Sequence, residues 1–190
     1  SDESGIKDAS YEIGSFEGLE KGLPMSWSGQ IKVEAGTVTT IHARLERLVS
    51  KVGFTVEMGV LEGLEITSVR LHQGAGTIRP FMPGGSRIIN KAEAMDGDYA
   101  TAEDIASLMN GGTMHFYVTE NCQGTLLPGN IDPWHKVPDS IGNSADLCTY
   151  VEMKGVWNER ADYEGEVTYR FYLGEDASGN FDIRRNSLQD

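Results

Sequence analysis

The stretch of residues 166–185 constrains the fold of this chain more than any other. Its apolar side chains stand at every second position: Val167, Tyr169, Phe171 and Leu173. Because successive side chains of a β-strand point to opposite faces, this alternation predicts a strand with one buried face. Turn-forming residues fill positions 174–180, and Phe181 and Ile183 then resume the alternation. The stretch therefore predicts a β-hairpin that packs on the core.

Shorter alternating stretches occur along most of the chain. They lie at residues 30–34, 38–45, 52–58, 64–71, 113–119 and 147–154. The apolar positions change parity after Leu45 and again after Ile66, which predicts a bulge or bend because one extra residue exchanges the two faces. Turn clusters separate these stretches. The pattern predicts an all-β protein, mainly an antiparallel β-sandwich.

One segment carries the signals of a helix. Thr101 and Asp104 have the spacing of a capping box, with Asp in place of the usual Glu. Apolar residues follow at helical spacing up to Met109, and two glycines end the pattern. The sequence therefore predicts a single short helix near residues 101–110.

Length and charge restrict the class of protein. A chain of 190 residues is long enough for one domain or for two small ones, and the turn-rich residues 74–100 are a candidate linker or crossover. The net charge of −13 weighs against nucleic acid as a partner, because duplex binding draws on Lys and Arg side chains. No apolar run reaches the roughly 18 residues that a transmembrane helix needs. We therefore expect neither nucleic-acid binding nor a transmembrane segment.

Motifs of catalysis and of metal binding are missing from the sequence. The four histidines are dispersed, and there is no HExxH pair, no GxSxG motif, no phosphate-binding loop and no calcium-loop spacing. We predict no catalytic centre, no metal site and no cofactor. The enzyme alternative is a hydrolase that uses Glu120 or His135.

An aromatic pair is the candidate site for a sugar ligand. Trp134 lies in a polar loop and Tyr117 lies on the predicted strand at 113–119. Aromatic rings with one wet face can stack on sugar rings, but tryptophan is also routinely half-buried by ordinary packing. Trp134 and Tyr117 are therefore a possible glycan platform, with simple packing as the alternative.

The two cysteines, Cys122 and Cys148, stand at the ends of two predicted strands. If those strands pair or face each other, the sulfurs come within bonding reach, and a bridge would stabilise the fold by roughly 3 kcal/mol. Such a bridge is expected only in an exported protein. The alternative is two unrelated small core residues.

Several stretches, taken in order, resemble a known family. They are residues 24–29, 45–52, 116–124 and 148–155, followed by 169–174 and 181–186. Together they resemble the fimbrillin-like cell-surface proteins of the Bacteroidetes type. The resemblance implies transthyretin-like, Greek-key β-sandwich domains, with residues 1–75 as strands of a first domain and residues 76–190 as a second. One continuous β-sandwich domain is the alternative.

The same resemblance implies an open sheet edge near the C-terminus. The family pattern continues with a further strand where this sequence ends, so Phe181, Ile183 and Arg185 are expected beside unpaired backbone groups. An open edge accepts a strand from another molecule. The expected partners are other fimbrial subunits or surface proteins, and host or bacterial glycans or proteins are possible.

The function expected from these observations is that of a non-catalytic fimbrial or adhesion subunit at the cell surface. It would bind through strand edges and loops. The first residues are polar, so an export signal would already have been removed, together with any lipid-anchored segment. The alternative is a carbohydrate-binding surface module.

Overall fold

The computed structural model describes residues 3–57, 59, 63–160 and 163–189. Strands are its main elements, and all ladders but one are antiparallel. The strands are β1 Tyr11–Glu12, β2 Met25–Ser26, β3 Glu46–Arg47, β4 Val49–Thr55, β5 Leu64–His72, β6 Gly74–Ala75, β7 Thr77–Ile78, β8 Ala94–Met95, β9 Thr113–Thr119, β10 Asn121–Thr125, β11 Tyr150–Arg160, β12 Tyr163–Tyr172, β13 Asn180–Ile183 and β14 Leu188–Gln189. The predicted β-rich, antiparallel character is confirmed.

The first large sheet has the order β12–β11–β5. The β5–β11 ladder pairs Lys154 with Ser68. The next residue, Gly155, pairs with Ile66, so one residue of β5 has no opposite partner. This bulge confirms the parity change predicted after Ile66, and it keeps both Ile66 and Val69 buried.

The second large sheet has the order β14–β4–β9, in which β14 is parallel to β4. Side chains from both large sheets form one apolar cluster. Val52 of β4, Leu71 of β5 and Val151 of β11 are all buried in it. At one side of the cluster the rings of Phe54 and Phe171 lie 5.4 Å apart, measured between centroids. The two sheets therefore share a core.

A second, smaller apolar cluster lies beside the short β10–β13 ladder. It contains Cys148, Tyr150, Tyr172 and Phe181. Tyr172 is on the opposite face of β12 from Phe171, since the two residues are adjacent in a strand. At the end of β12, side chains on both faces therefore pack against apolar neighbours.

The predicted helix is confirmed as α2, Ala102–Met109, following α1, Glu3–Lys7. The Thr101 hydroxyl accepts from the Asp104 backbone N–H, and the Asp104 carboxylate accepts from the Thr101 N–H. The prediction of a single helix is wrong, because α1, α3 at Pro138–Ile141 and several 3-10 turns also form. Elements of four or five residues are too short to show helical periodicity in a sequence.

Strands from the two halves of the chain pair with each other. Of the strands before residue 75, β4 pairs with β9 and β5 pairs with β11. The turn-rich residues 74–100 pack on this common body, with Ala75 and Ile89 buried. The expected division at residue 75 therefore cuts through both large sheets.

Two predicted strands are not formed. Residues 27–45, which we call the arm, contain the alternating stretches 30–34 and 38–45, yet the structure assigns them no ladder. Nearly every arm residue is exposed. Alternation produces an apolar face, but a strand also needs a neighbour, and the described chain supplies none here. The expected strand at 52–58 forms earlier, as β4, and its Met58 lies outside the described residues.

Candidate functional site

The outer edge of β5 is covered by its own chain. The Gly97 N–H donates to the Leu71 carbonyl and the Ala100 N–H donates to the Val69 carbonyl, each at 2.8 Å. Tyr99 forms a bridge to Arg70 in the same place. The part of this edge from Val69 to Leu71 is therefore closed to a further strand.

The outer edge of β12, at the other side of the same sheet, is open. The Leu173 N–H donates to the Thr149 carbonyl at 3.0 Å, so the odd-numbered residues of β12 direct their backbone groups towards β11. The even-numbered residues direct theirs outward. Within the described chain, the outward N–H groups of Glu166, Thr168 and Arg170 have no backbone partner. Such a row of unpaired groups is a template for another strand.

The core-facing side of β12 is also incompletely covered. Val167 and Tyr169 are half-buried against the main core, whereas Phe171 keeps 42% of its surface exposed. Phe171 contacts Phe54 on its core side. An added strand with apolar residues at every second position would cover the stripe formed by Val167, Tyr169 and Phe171. The unpaired backbone groups and the exposed apolar side chains of β12 thus both favour the binding of another strand.

The edge predicted at Phe181, Ile183 and Arg185 belongs to β13 and the residues after it, and among the described residues β10 is the one ladder partner of β13. Phe181 and Ile183 are fully buried, and β13 pairs with β10. The chain beyond β13 continues along β4, where the Lys51 N–H donates to the Ser187 carbonyl at 3.0 Å. The terminal residues thus pair with β4, in a different sheet from β13, and not beside the last hairpin, where the missing strand was expected.

Arg185 and Glu120 form a buried ion pair. Glu120 is 1% exposed, and its Oε2 accepts from Arg185 Nη2 at 2.7 Å and from Arg185 Nε at 3.0 Å. Its Oε1 accepts from the Gly85 N–H at 2.5 Å. The carboxylate proposed for the enzyme alternative therefore ties three distant segments together, and its oxygens are occupied.

The expected disulfide is not formed. Cys122 and Cys148 are both buried, unbonded thiols. The Cys122 thiol donates to the Ile183 carbonyl and the Cys148 thiol to the Ser144 carbonyl. Burial raises the pKa of each thiol to about 12. The expectation required that the strands at 113–119 and 147–154 pair or face each other with their ends together. They lie in different sheets, and the two thiols hydrogen-bond to carbonyls of different segments.

Trp134 stands on an ordered loop and is 85% exposed. Asp132 caps its 3-10 turn, Pro133–His135, by accepting from the Trp134 N–H at 3.0 Å. The loop is fastened to the turn after β12, because the Lys136 ammonium donates to the Asp176 carbonyl at 2.8 Å. Backbone N–H groups of that turn, Asn180 first among them, lower the pKa of Asp176 to about 2. The Trp134 ring therefore projects into solvent from a loop that these hydrogen bonds hold in place.

Tyr117 lies elsewhere, in a shallow cleft beside β9. The cleft has a volume of about 140 Å³ and is lined by aromatic, apolar and acidic residues, among them Phe16, Glu17, Tyr99 and Phe116. No ring contact joins Tyr117 to Trp134 among the described residues. Trp134 does not line this cleft.

Two further features concern membranes and metals. Among the helices of the described residues, none is both long and apolar enough to cross a bilayer. Within the same part of the chain, His, Cys, Asp and Glu side chains form no group of three placed to hold a metal ion.

The fold and its edge define a β-rich protein that presents an uncovered strand. Residues 116–188 match the sequence model of a family described as "Domain of unknown function (DUF4906)". This span contains the Glu120–Arg185 ion pair and the open strand β12, but it does not contain the arm. No curated protein matches the chain, and no solved structure does so.

Proposed function

We propose that this protein is a non-catalytic fimbrial or adhesion subunit of the cell surface. In this proposal it is an exported protein with transthyretin-like β-sandwich architecture, held at the surface through a lipid anchor on a segment that precedes the present sequence. It binds another surface subunit by accepting a strand. The resemblance to fimbrillin-like proteins supports the biological setting.

The observation that carries the proposal is the open edge of β12. Its outward backbone groups at Glu166, Thr168 and Arg170 lack partners in the described chain, and Phe171 leaves part of an apolar stripe uncovered. The other edge of the same sheet is closed by residues 97–100. A sheet that is covered beside Val69–Leu71 on one side and, within the described chain, has unpaired N–H groups from Glu166 to Arg170 on the other fits a strand acceptor.

Replacing one outward N–H tests the acceptor role. Thr168→Pro removes an outward donor without removing a hydrogen bond to β11, and Thr168→Ala is the matched control that keeps the N–H. Size-exclusion chromatography and electron microscopy would compare assembly of the two variants with that of the wild-type protein. We expect Thr168→Pro to reduce assembly at least tenfold and Thr168→Ala to leave it unchanged. Equal assembly by both variants would contradict the proposal.

A carbohydrate-binding surface module is the second candidate, favoured by the exposure of Trp134. An indole ring held out from an ordered loop provides a stacking surface. Glycan-array binding that is lost in Trp134→Ala and kept in His135→Ala would support this candidate. The absence of binding to any glycan would remove it.

A further inference from the structure

The arm, residues 27–45, is a hairpin with both ends formed and its middle unpaired. At its base, Met25 pairs with Arg47 and Ser26 pairs with Glu46. At its tip, the Thr37 N–H donates to the Glu34 carbonyl at 3.3 Å, and Gly36 has the φ of 78° that such a turn favours. In each base pair the two residue numbers sum to 72, and a register with this sum closes at residues 35–37. The tip bond joins residues whose numbers sum to 71, so the tip supplies a turn inside residues 34–38 and the base pairs alone fix the register.

In that register the arm has one apolar face. The odd-numbered positions carry Trp27, Gly29, Ile31, Val33, Thr39, Ile41, Ala43 and Leu45. The even-numbered positions are polar except for Val38. The Trp27 ring already lies over Gly29, its neighbour on the same face. Ile31 would stand opposite Ile41 and Trp27 opposite Leu45, which are favourable cross-strand pairs.

This apolar face has no partner within the described chain. Val33 and Leu45 are 79% and 60% exposed. An isolated two-stranded hairpin is at best marginally stable in water, whereas three or more strands with a covered face are stable. The sequence thus encodes a hairpin that needs a neighbouring sheet, and this need explains why its middle stays unpaired here.

We propose that the arm is the strand donor, and that it docks along the open edge of β12 in a second copy of this chain. This inference rests on the proposed function, since it names the partner of the same edge. An arm strand added beside β12 would form hydrogen bonds with the outward groups of Glu166, Thr168 and Arg170. Its apolar face would continue the stripe of Val167 and Phe171 and cover the exposed part of Phe171.

Charge favours the body of another copy as the acceptor. Residues 25–47 contain three basic and two acidic side chains, whereas the rest of the chain contains 13 basic and 27 acidic ones. Two arms facing each other would bring Lys32 and Arg44 near their like-charged counterparts, but an arm on β12 meets the exposed Glu166. Attraction between opposite net charges aids such docking.

Donor and acceptor on one chain give a head-to-tail contact. The base of the arm is held on its own body, because the Ser26 hydroxyl donates to the Pro80 carbonyl at 2.7 Å and Arg47 Nε donates to Asn186 at 3.1 Å. Each copy that donates its arm keeps its own β12 edge available. A heterologous contact of this kind does not close on itself unless the rotation makes a ring, so it builds rings or filaments.

Sedimentation velocity of the full chain over a range of concentrations tests the donor. The variant Ile31→Asp/Ile41→Asp places charge on the apolar face, and the control Gln30→Asp/Thr40→Asp adds the same charge on the polar face. We expect the first variant to require at least tenfold higher concentration to associate, and the control to associate within threefold of wild type. Unchanged urea midpoints would show that both variants fold.

Mixing two defective variants tests the acceptor. The Ile31→Asp/Ile41→Asp chain keeps its β12 edge and the Thr168→Pro chain keeps its arm, so a mixture should form one-to-one dimers although neither chain associates alone. If the aspartate variant associates like wild type while Thr168→Pro does not, the arm is not the donor, although strand addition at β12 stands. If both variants fail alone but the mixture forms no dimer, β12 is not the place where the arm docks. If the wild-type chain stays monomeric at every concentration, both the donor assignment and assembly by strand addition are wrong.

Discussion

Loss of Arg185 should destabilise the protein strongly, because this residue neutralises a carboxylate that has almost no contact with water. Glu120 is 1% exposed and Arg185 is 7% exposed, and two short hydrogen bonds join them. In Arg185→Met the Glu120 carboxylate keeps backbone donors but loses its counter-ion. Breaking one side of a buried ion pair costs about 3–5 kcal/mol, which for a chain of this size lowers the melting temperature by roughly 6–20 °C.

Urea denaturation and thermal melts would measure this loss. The adjacent residue offers a control, since Arg184 pairs with Glu175 at 2.6 Å on the surface. Arg184→Met should shift the midpoint far less than Arg185→Met. The double variant Glu120→Gln/Arg185→Met should be more stable than Arg185→Met alone, because no unpaired buried charge remains. Equal destabilisation by the Arg184 and Arg185 variants would refute the assignment of the buried pair.

The remaining predictions concern thiols, pH and a helix cap. At about pH 8 both Cys122 and Cys148 should react slowly with a thiol reagent in the native protein, since burial raises their pKa to about 12. In urea, two thiols per chain should titrate, and a titration of zero would mean that a disulfide is present. Burial lowers the pKa of Lys136 from 10.5 to about 8. Between about pH 8 and pH 10.5 the unfolded chain therefore binds more protons at this residue than the folded chain does, so its contribution to the free energy of unfolding increases as the pH rises. The free energy of unfolding of wild type minus that of Lys136→Met should therefore increase from about pH 7.5 to about pH 9.5, and a constant difference would contradict this. Thr101→Ala should cost about 1 kcal/mol in urea denaturation by removing the cap of α2, and no change would show that the cap is not used in solution.

Local patterns could be predicted from the sequence where they depend on neighbours along the chain. The alternation in β12, the bulge in β5 and the capping box of α2 are all of this kind. Partner choice depends on distant residues instead. Glu120 and Arg185 are 65 positions apart, and no local pattern indicates that they meet.

The arm and β12 also show that a local pattern does not determine whether a segment finds a pairing partner. Both stretches alternate in the same way, so the sequence predicts a strand for each. β12 has β11 beside it and forms a ladder, whereas the arm has no neighbour in the described chain. The open edge was expected near Ile183, but the terminal residues pair with β4, and the edge with a row of outward N–H groups and a half-covered apolar stripe is that of β12. Which edge remains open is decided by the whole topology.

Residue-resolved amide hydrogen exchange along β12 tests the central claim most directly. In the monomer, the outward amides of Glu166, Thr168 and Arg170 should exchange quickly, while those of Val167 and Tyr169, which face β11, should be protected. In the assembled protein the outward amides should become at least tenfold slower, and the inward ones should change little. Assembly in which the outward amides keep their monomer exchange rates would contradict strand addition at this edge.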